Sequence, residues 1–287
     1  MKKLIGIQGN DQGHWVGDGF PVRTLFFYQH LGKQMSPFLM LDYAGPAQFP
    51  STSDRKGVGS HPHRGFETVT IVYSGEVSHR DSTGQGGTIG PGDVQWMTAG
   101  AGIVHEEFHS EHFSKSGGVL KMVQLWVNLP AKDKMTAPAY QAILNQEIPT
   151  IHLGNNTGSV RVIAGAYEQD SGPAKTFTPM NVMDIQLKKG AVVTIPAPNG
   201  WNTSLVVLDG AIEAGDGVVA KEAQMLMFSQ SGDGIEIKAV EDCAALLLSG
   251  EPINEPIVGY GPFVMNTKDE IVQAIEDFNN GNFGVIH

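Results

Sequence analysis

The sequence predicts an all-β protein built from two antiparallel modules of the sandwich or barrel type. Glycine supplies 36 of the 287 residues, well above the average of roughly 7%. Many of these glycines separate short runs rich in valine, isoleucine, threonine and aromatic residues, which is the pattern of strands joined by turns. A weak internal repeat indicates that the pattern occurs twice, and a chain of this length has room for two modest domains.

The clearest strand is predicted at residues 66–73, where β-branched and aromatic residues continue up to the turn Ser74-Gly75. The spacing of the predicted strands and the turn residues between them favour a sandwich or barrel over alternating strands and helices. Further strands are predicted at residues 88–89, 94–97, 119–129, 160–163, 192–195, 204–208, 225–228, 235–237 and 244–248.

The strand pattern lapses between residues 130 and 150, which predicts a connection between the modules. We therefore divide the chain into residues 1–134 and 135–287. A helix is predicted only near the end, where Thr267 and Glu270 match a capping box and Gly281 ends the helix. The apolar residues that share one face of this helix are Ile271, Ile275 and Phe278.

The repeat becomes visible when the chain is shifted against itself by 135 residues. Residues 194–210 then lie over residues 59–75, and Gly65 meets Gly200 while Gly75 meets Gly210. A shift of 132 lays residues 232–235 over residues 100–103. The match is weak residue by residue, but two related β modules explain it most economically.

Composition excludes several classes of protein. Thirty acidic residues against 19 basic ones give a formal charge of −11, so the surface should repel nucleic acid. The single cysteine, Cys243, allows no intrachain disulfide and adjoins an apolar run, which predicts a buried reduced thiol. No segment resembles a signal peptide or a membrane span, and a cytoplasmic location is therefore expected.

Two short motifs in the first module carry metal-binding side chains. His61 and His63 are two residues apart, as are His105 and Glu107, and in an extended strand this spacing directs both side chains of a pair to one face. Three imidazoles and a carboxylate suit iron, manganese, cobalt, nickel, copper or zinc. The predicted site is therefore one divalent transition-metal ion held by these four residues.

The repeat provides an internal control for this prediction. The positions that correspond to the four ligands in the second module are Pro196, Pro198, Ile237 and Ala239, none of which has a donor side chain. A histidine pair by itself is more often a surface or hydrogen-bonded feature. The absence of polar equivalents in the second copy instead favours a function specific to the first.

Other histidines and acids near the motifs compete with this assignment. His79, His109 and His112 are given the ordinary surface or hydrogen-bonding role, although they lie near enough to act as ligands. Strand alternation turns Glu106 away from His105. Glu67 stays open as an alternative carboxylate.

These segments also carry a family resemblance. Residues 61–69, 91–100 and 102–107, together with 125–129 and 261–267, resemble the signature segments of the pirin family over nearly the whole chain. The resemblance implies two cupin barrels face to face, with the metal in the N-terminal one. The wider cupin superfamily takes two histidines and a glutamate from its first motif, here His61, His63 and Glu67, whereas pirins take their carboxylate from the second, here Glu107.

The resemblance further implies a function. Several pirins are credited with quercetin dioxygenase activity, so the expected reaction opens a flavonol ring with O₂ and releases carbon monoxide, most simply with Fe(II). Glu107 is expected to bind the metal and to remove the flavonol hydroxyl proton. Met97, Val104 and Phe108 are expected either to line an apolar pocket or only to pack the barrel.

The alternative function is regulatory. Some pirins act as redox-sensitive cofactors of transcription regulators, which implies an iron-binding protein that contacts a protein partner and has no physiological flavonol substrate. In both cases we expect a monomer that binds neither DNA nor membranes directly.

Overall fold

The computed structural model describes residues 1–287 and confirms a mostly β protein, in which 53% of residues lie in strands and 12% in helices. The first twelve strands, β1 to β12, are Leu4–Gly9, His14–Val16, Phe20–Phe27, Phe38–Phe49, Gly57–His63, Phe66–Ser74, Val77–Asp81, Gly86–Ile89, Val94–Thr98, Ile103–His109, Gly118–Asn128 and Ala139–Ile143. The remaining strands, β13 to β26, are Thr150–Leu153, Gly158–Ala164, Ala166–Tyr167, Asp170–Ser171, Met180–Leu187, Val192–Pro196, Asn202–Asp209, Ala211–Ala214, Val218–Lys221, Gln224–Phe228, Gly234–Ala239, Cys243–Gly250, Val258–Tyr260 and Phe263–Met265.

Helices are few and short. The α-helices α1 to α3 are Tyr28–Met35, Glu111–Ser116 and Lys268–Asn279, and single 3₁₀ turns occupy Ala131–Asp133, Asn145–Glu147 and Gly154–Asn156. None of the helices is long and apolar enough to cross a membrane. Every predicted strand coincides with an observed one to within about two residues.

The chain forms two compact units that interleave along the sequence. The unit that carries the histidine motifs, here called the motif unit, comprises Gln12–Thr24, Leu39–Asn145 and Asn254–His287. The companion unit comprises Met1–Asp11, Leu25–Phe38 and Gln146–Ile253. The two units are therefore not divided at residue 134 alone. The N-terminal strand β1 pairs with β22 and belongs to the companion unit, whereas the C-terminal helix α3 packs in the motif unit.

Two large antiparallel sheets form most of the motif unit, and β25 and β26 pair as a small third sheet. The strand order is β12-β9-β6-β11-β4-β3-β2 in the seven-stranded sheet and β5-β10-β7-β8 in the four-stranded sheet. Strand β12, Ala139–Ile143, lies within the segment predicted to be only a connection, and that prediction was wrong there because β12 pairs with β9 along the sheet edge. The apolar core of the motif unit includes Val72, Val77 and Leu120, which are almost completely buried.

The companion unit repeats this arrangement. Its sheets have the orders β1-β22-β19-β24-β17-β14-β13 and β18-β23-β20-β21. Strands β22-β19-β24-β17 follow the order of β9-β6-β11-β4, and β18-β23-β20-β21 that of β5-β10-β7-β8, which confirms the internal repeat. Its core is apolar and includes Ile195 and Ile237, which are almost completely buried. The closure of either unit into a barrel stays a prediction.

The final helix has the predicted cap. The Thr267 hydroxyl accepts a hydrogen bond from the backbone N–H of Glu270, and the Glu270 carboxylate accepts one from the backbone N–H of Thr267. After α3 the chain turns at Gly281, whose φ of 78° lies in the left-handed region. The buried face, Ile271 and Ala274, packs on residues that include Val104. This contact ties the end of the chain to strand β10.

Removal of the cap should loosen this helix locally. We expect Thr267→Ala to lower the opening free energy of the first turns of α3 by about 1 kcal/mol, because the Glu270 N–H loses its acceptor. Hydrogen exchange of those amides should then be roughly fivefold faster. Thr267→Ser, which keeps the hydroxyl, serves as the control; equal exchange in all three proteins would contradict the role of the cap.

Candidate metal centre

Strands β5 and β10 bring the two histidine motifs together. They pair antiparallel with His105 opposite His61 and Ile103 opposite His63, and the register shifts between His105 and Glu107. Strand β5 ends in a turn at Gly65, whose φ is 87°; a Cβ there would lie 2.0 Å from the carbonyl oxygen of Val264. Only glycine fits this position, so the turn fixes where His63 leaves the strand.

The three predicted histidine ligands form one cluster. Ring centroids lie 4.2 Å apart for His61 and His105, and 4.9 Å apart for both His61–His63 and His63–His105. One ligand atom from each residue lies within 4.8 Å of the others. His63 and His105 are buried, whereas His61 is partly exposed.

Glu107 lies beside this cluster in a polar niche. Its Oε1 accepts hydrogen bonds from Thr70 Oγ1 and Gln95 Nε2, both at 3.1 Å. Both bonds fall on one oxygen, which leaves Oε2 for a metal or a proton. A carboxylate oxygen of Glu107 and one ring nitrogen each of His105 and His79 lie within 4.8 Å of one another. Glu107 also lines the same cavity as His61 and His63. The set of four residues as ligands of a single ion stays a prediction.

The protonation of the cluster suits a metal. Burial lowers the pKa of His63 and His105 well below the ordinary value, and the neighbouring imidazoles lower it further. Neutral imidazoles keep a lone pair for a metal. His105 Nε2 is buried without a hydrogen-bond partner, an arrangement that costs free energy unless another ligand satisfies it. The residues therefore fit a divalent transition-metal ion.

Backbone carbonyls orient the other two rings. His61 Nδ1 lies 2.8 Å from the Gly59 oxygen, and His63 Nδ1 lies 3.4 Å from the Pro262 oxygen. A carbonyl oxygen can only accept a hydrogen bond, so Nδ1 carries the proton in each ring. The lone pair of each ring is then on Nε2.

The competing acids occupy other environments. Glu106 points to the opposite face, as predicted, and pairs with Arg55 and Arg80. Glu67 lies on β6 in the other sheet, where it accepts a hydrogen bond from Thr98 Oγ1 at 2.8 Å. Burial raises the pKa of Glu67 to about 7. It belongs to neither group of clustered ligand atoms.

The histidines outside the predicted set differ in their roles. His112 is exposed, and His109 is buried with its Nε2 2.8 Å from the Gly19 oxygen. His79 is buried between His105 and Asp81, a position closer to the site than its predicted role suggested. The spacing of His79 and Asp81 in the sequence puts both on one strand face, and that signal would have identified the pair.

An apolar cavity of about 380 Å³ opens beside the imidazoles. Its polar lining comprises Asp42, Gln124 and the three site residues His61, His63 and Glu107, and its apolar lining is Val16, Phe20, Val22, Met40, Val58, Met122 and Trp126, closed by Gly261 and Pro262. A larger surface groove of about 720 Å³ contains none of the clustered ligands.

None of the three residues proposed as pocket walls lines this cavity. Met97 packs with Ala99 and Ile103, and Val104 packs with residues of the C-terminal segment. Phe108 lies under the guanidinium of Arg55, 3.6 Å from ring centroid to Cζ. Strand alternation explains the positions of Val104 and Phe108, because neighbours of His105 and Glu107 point to the opposite face.

The C-terminal segment 254–287 is anchored to the first motif. Arg64 donates hydrogen bonds to Asp277 Oδ2 at 2.8 Å and to the Ala101 oxygen at 2.6 Å, and its guanidinium lies over the ring of Phe283. The buried Lys134 ammonium donates to the carbonyl oxygens of both Gly65 and Val264. These contacts hold Gly261 and Pro262 at the cavity wall.

Comparison with known proteins agrees with this architecture. The family model described as Pirin matches residues 19–127, and that of the pirin C-terminal cupin domain matches residues 182–284. A protein of Pseudomonas aeruginosa, provisionally named a quercetin 2,3-dioxygenase, is 58% identical over 283 residues, which are 99% of each chain. A pirin-like protein of Solanum lycopersicum is 41% identical over 99% of this chain and 92% of its own.

A solved structure extends the likeness to three dimensions. The crystal structure of a quercetin 2,3-dioxygenase from Acinetobacter baumannii matches with a TM-score of 0.97 at 55% identity and covers 100% of both chains. With the repeated strand order and the two histidine motifs, these matches show that the chain belongs to the pirin family.

Proposed function

We propose that this protein is a metal-dependent dioxygenase that opens the ring of quercetin-like flavonols with O₂. The observation that carries the proposal is the cavity itself, which combines an apolar wall with the imidazole cluster and the Glu107 carboxylate. Its volume falls in the range of small-molecule sites. The relatives named for quercetin 2,3-dioxygenase activity support the choice of substrate and reaction.

We propose that the metal is held by His61, His63, His105 and Glu107 and that it is iron(II). The mixed nitrogen and oxygen donors suit a borderline divalent ion and would also accept manganese, cobalt, nickel, copper or zinc. The ion would bring substrate and O₂ together and supply the redox chemistry that organic side chains lack.

Glu107 is the proposed general base. Thr70 and Gln95 hold its Oε1, so the carboxylate cannot rotate freely and Oε2 keeps one orientation. A flavonol hydroxyl that enters the cavity would give its proton to this oxygen. The deprotonated substrate is the more electron-rich form and reacts more readily with O₂.

Asp42 is the proposed contact for a second part of the substrate. It is buried in the cavity wall, and its Oδ1 accepts a hydrogen bond from Thr24 Oγ1 at 2.5 Å. A buried carboxylate in an apolar wall is costly unless further donors reach it. A phenolic hydroxyl supplies such a donor, which favours polyhydroxylated aromatic substrates.

The reaction is tested by reconstitution. Protein loaded anaerobically with Fe(II) and mixed with quercetin should lose the flavonol absorbance only after O₂ is added, with release of carbon monoxide. Apoprotein prepared with a chelator is the control and should be inactive. Absence of turnover with every first-row divalent metal would contradict the proposal.

Glu107→Gln separates base chemistry from metal binding. Because the amide cannot take the proton, we expect kcat to fall by about 10²- to 10⁴-fold, while bound metal, measured by elemental analysis, falls much less. Glu106→Gln is the matched control, since Glu106 faces away from the imidazole cluster and pairs with arginines. A fully active Glu107→Gln protein would remove the base assignment.

Asp42→Leu tests recognition of substrate hydroxyls. Wild-type protein should bind quercetin more tightly than flavonols that lack the hydroxyls of one ring, and the variant should lose about tenfold or more of that preference, as expected for a hydrogen bond to a charged group. Binding is measured anaerobically by equilibrium titration. Thr24→Val keeps the carboxylate and should keep the preference; an unchanged preference in Asp42→Leu would exclude this contact.

A further inference from the structure

A chain of buried polar side chains lies behind His105. His105 Nδ1 is 3.3 Å from His79 Nδ1, and His79 Nε2 is 3.1 Å from Asp81 Oδ2. All three side chains are almost completely buried. The pairing of β7 with β10 produces this arrangement, because it sets Asp81 opposite His105 and His79 opposite Glu107.

The hydrogen bonds fix the direction of the chain. Asp81 Oδ1 accepts bonds from the backbone N–H and the hydroxyl of Thr83, and a carboxylate can only accept, so its Oδ2 must accept from His79 Nε2–H. A neutral His79 then has its lone pair on Nδ1. That nitrogen must accept from His105 Nδ1–H, which leaves the His105 lone pair on the unpartnered Nε2.

We infer that Asp81 and His79 are positioning residues that hold His105 in the tautomer and ring orientation required to bind the metal. The inference rests on the proposed metal site. Histidine ligands commonly donate their second N–H to a carboxylate or carbonyl, which fixes the ring and strengthens the ligand. Here one further imidazole transmits the effect of the carboxylate.

His105 differs from the other two proposed histidine ligands in this respect. His61 and His63 donate to backbone carbonyls of Gly59 and Pro262, which no side-chain substitution removes. His105 depends on two side chains. The His79 ring is itself fixed, since Tyr140 stacks on it with centroids 5.1 Å apart and planes 14° apart. The orientation of His105 can therefore be altered without change to the backbone of its strand.

One competing arrangement must be distinguished. Ligand atoms of His79, His105 and Glu107 also lie within 4.8 Å of one another, so an ion between these three residues would make His79 a ligand. In that arrangement His105 would use Nδ1. The inference requires Nε2 instead, together with His61 and His63.

The experiment uses Co(II) as the probe because its visible spectrum reports ligand geometry. Asp81→Asn can present either an amide donor or a carbonyl acceptor to His79 Nε2, so the chain of hydrogen bonds should lose its single direction. We expect Co(II) affinity, measured by chelator competition, to fall by about 10- to 100-fold with an altered spectrum. Asp184→Asn is the matched control, because it removes a buried carboxylate that forms an ion pair with an arginine in the companion unit. This variant should bind Co(II) as the wild type does.

A metal-free measurement guards against a merely structural effect. Nitrogen NMR of labelled imidazoles in the apoprotein should show His105 protonated on Nδ1 in wild type, and a mixture of tautomers in Asp81→Asn. His79→Leu, which removes the acceptor, should weaken Co(II) binding as Asp81→Asn does, whereas His79→Gln, whose amide oxygen can accept from His105, should restore part of it. Thr83→Val loosens the turn around Asp81 and should leave the tautomer unchanged.

Two results would overturn the inference. The first is an unchanged Co(II) affinity and an unchanged His105 tautomer in Asp81→Asn. The second is full Co(II) binding by His61→Ala combined with none by His79→Leu, which would place the ion between His79, His105 and Glu107. Weakened Co(II) binding in Asp81→Asn would support the inference even if the iron-loaded wild type failed to convert flavonols, so the two proposals fail separately.

Discussion

The antiparallel pairing of β5 with β10 is the constraint on which the rest of the site depends. It sets His61 opposite His105 although 44 positions of sequence separate the two residues. Because alternate side chains share a face, one register brings both motifs together, and a slip by one residue would turn them apart. The glycine at position 65 and the anchored C-terminal segment maintain that register from one end.

The companion unit shows what the same strand order becomes without such motifs. Its strand β23 has Ile237 where the repeat places His105, and this side chain packs in an apolar core. Burial of imidazoles and carboxylates in the motif unit costs free energy that the companion unit avoids. Neighbouring polar side chains offset part of this cost, as Thr70 and Gln95 do for Glu107. The site is thus an addition to a scaffold that folds on apolar packing.

Local sequence predicted those features that depend on local physics. Strands such as β6 follow from their β-branched residues, and the cap of α3 follows from Thr267 and Glu270. Helix α1 was missed because its N-cap, Phe27, makes no side-chain hydrogen bond and its first turn has no acid. The place of the N-terminal strand β1 in the companion unit was also missed, since it depends on pairing with residues over 200 positions away along the chain. The spacing of His79 and Asp81 is visible in the sequence, but their position behind His105 depends on the pairing of β7 with β10, which no local pattern reveals.

The anchored C-terminal segment bears on how the protein is made. A ribosome releases the chain from its N-terminus, so the residues of both histidine motifs emerge long before Pro262 and Asp277. Until those last residues arrive, His63 has no carbonyl to orient it, and Arg64 has no carboxylate partner. The nascent first module therefore carries its histidine motifs before the contacts that orient them have formed. A metal ion that met the growing chain would find a looser set of donors than the folded protein offers.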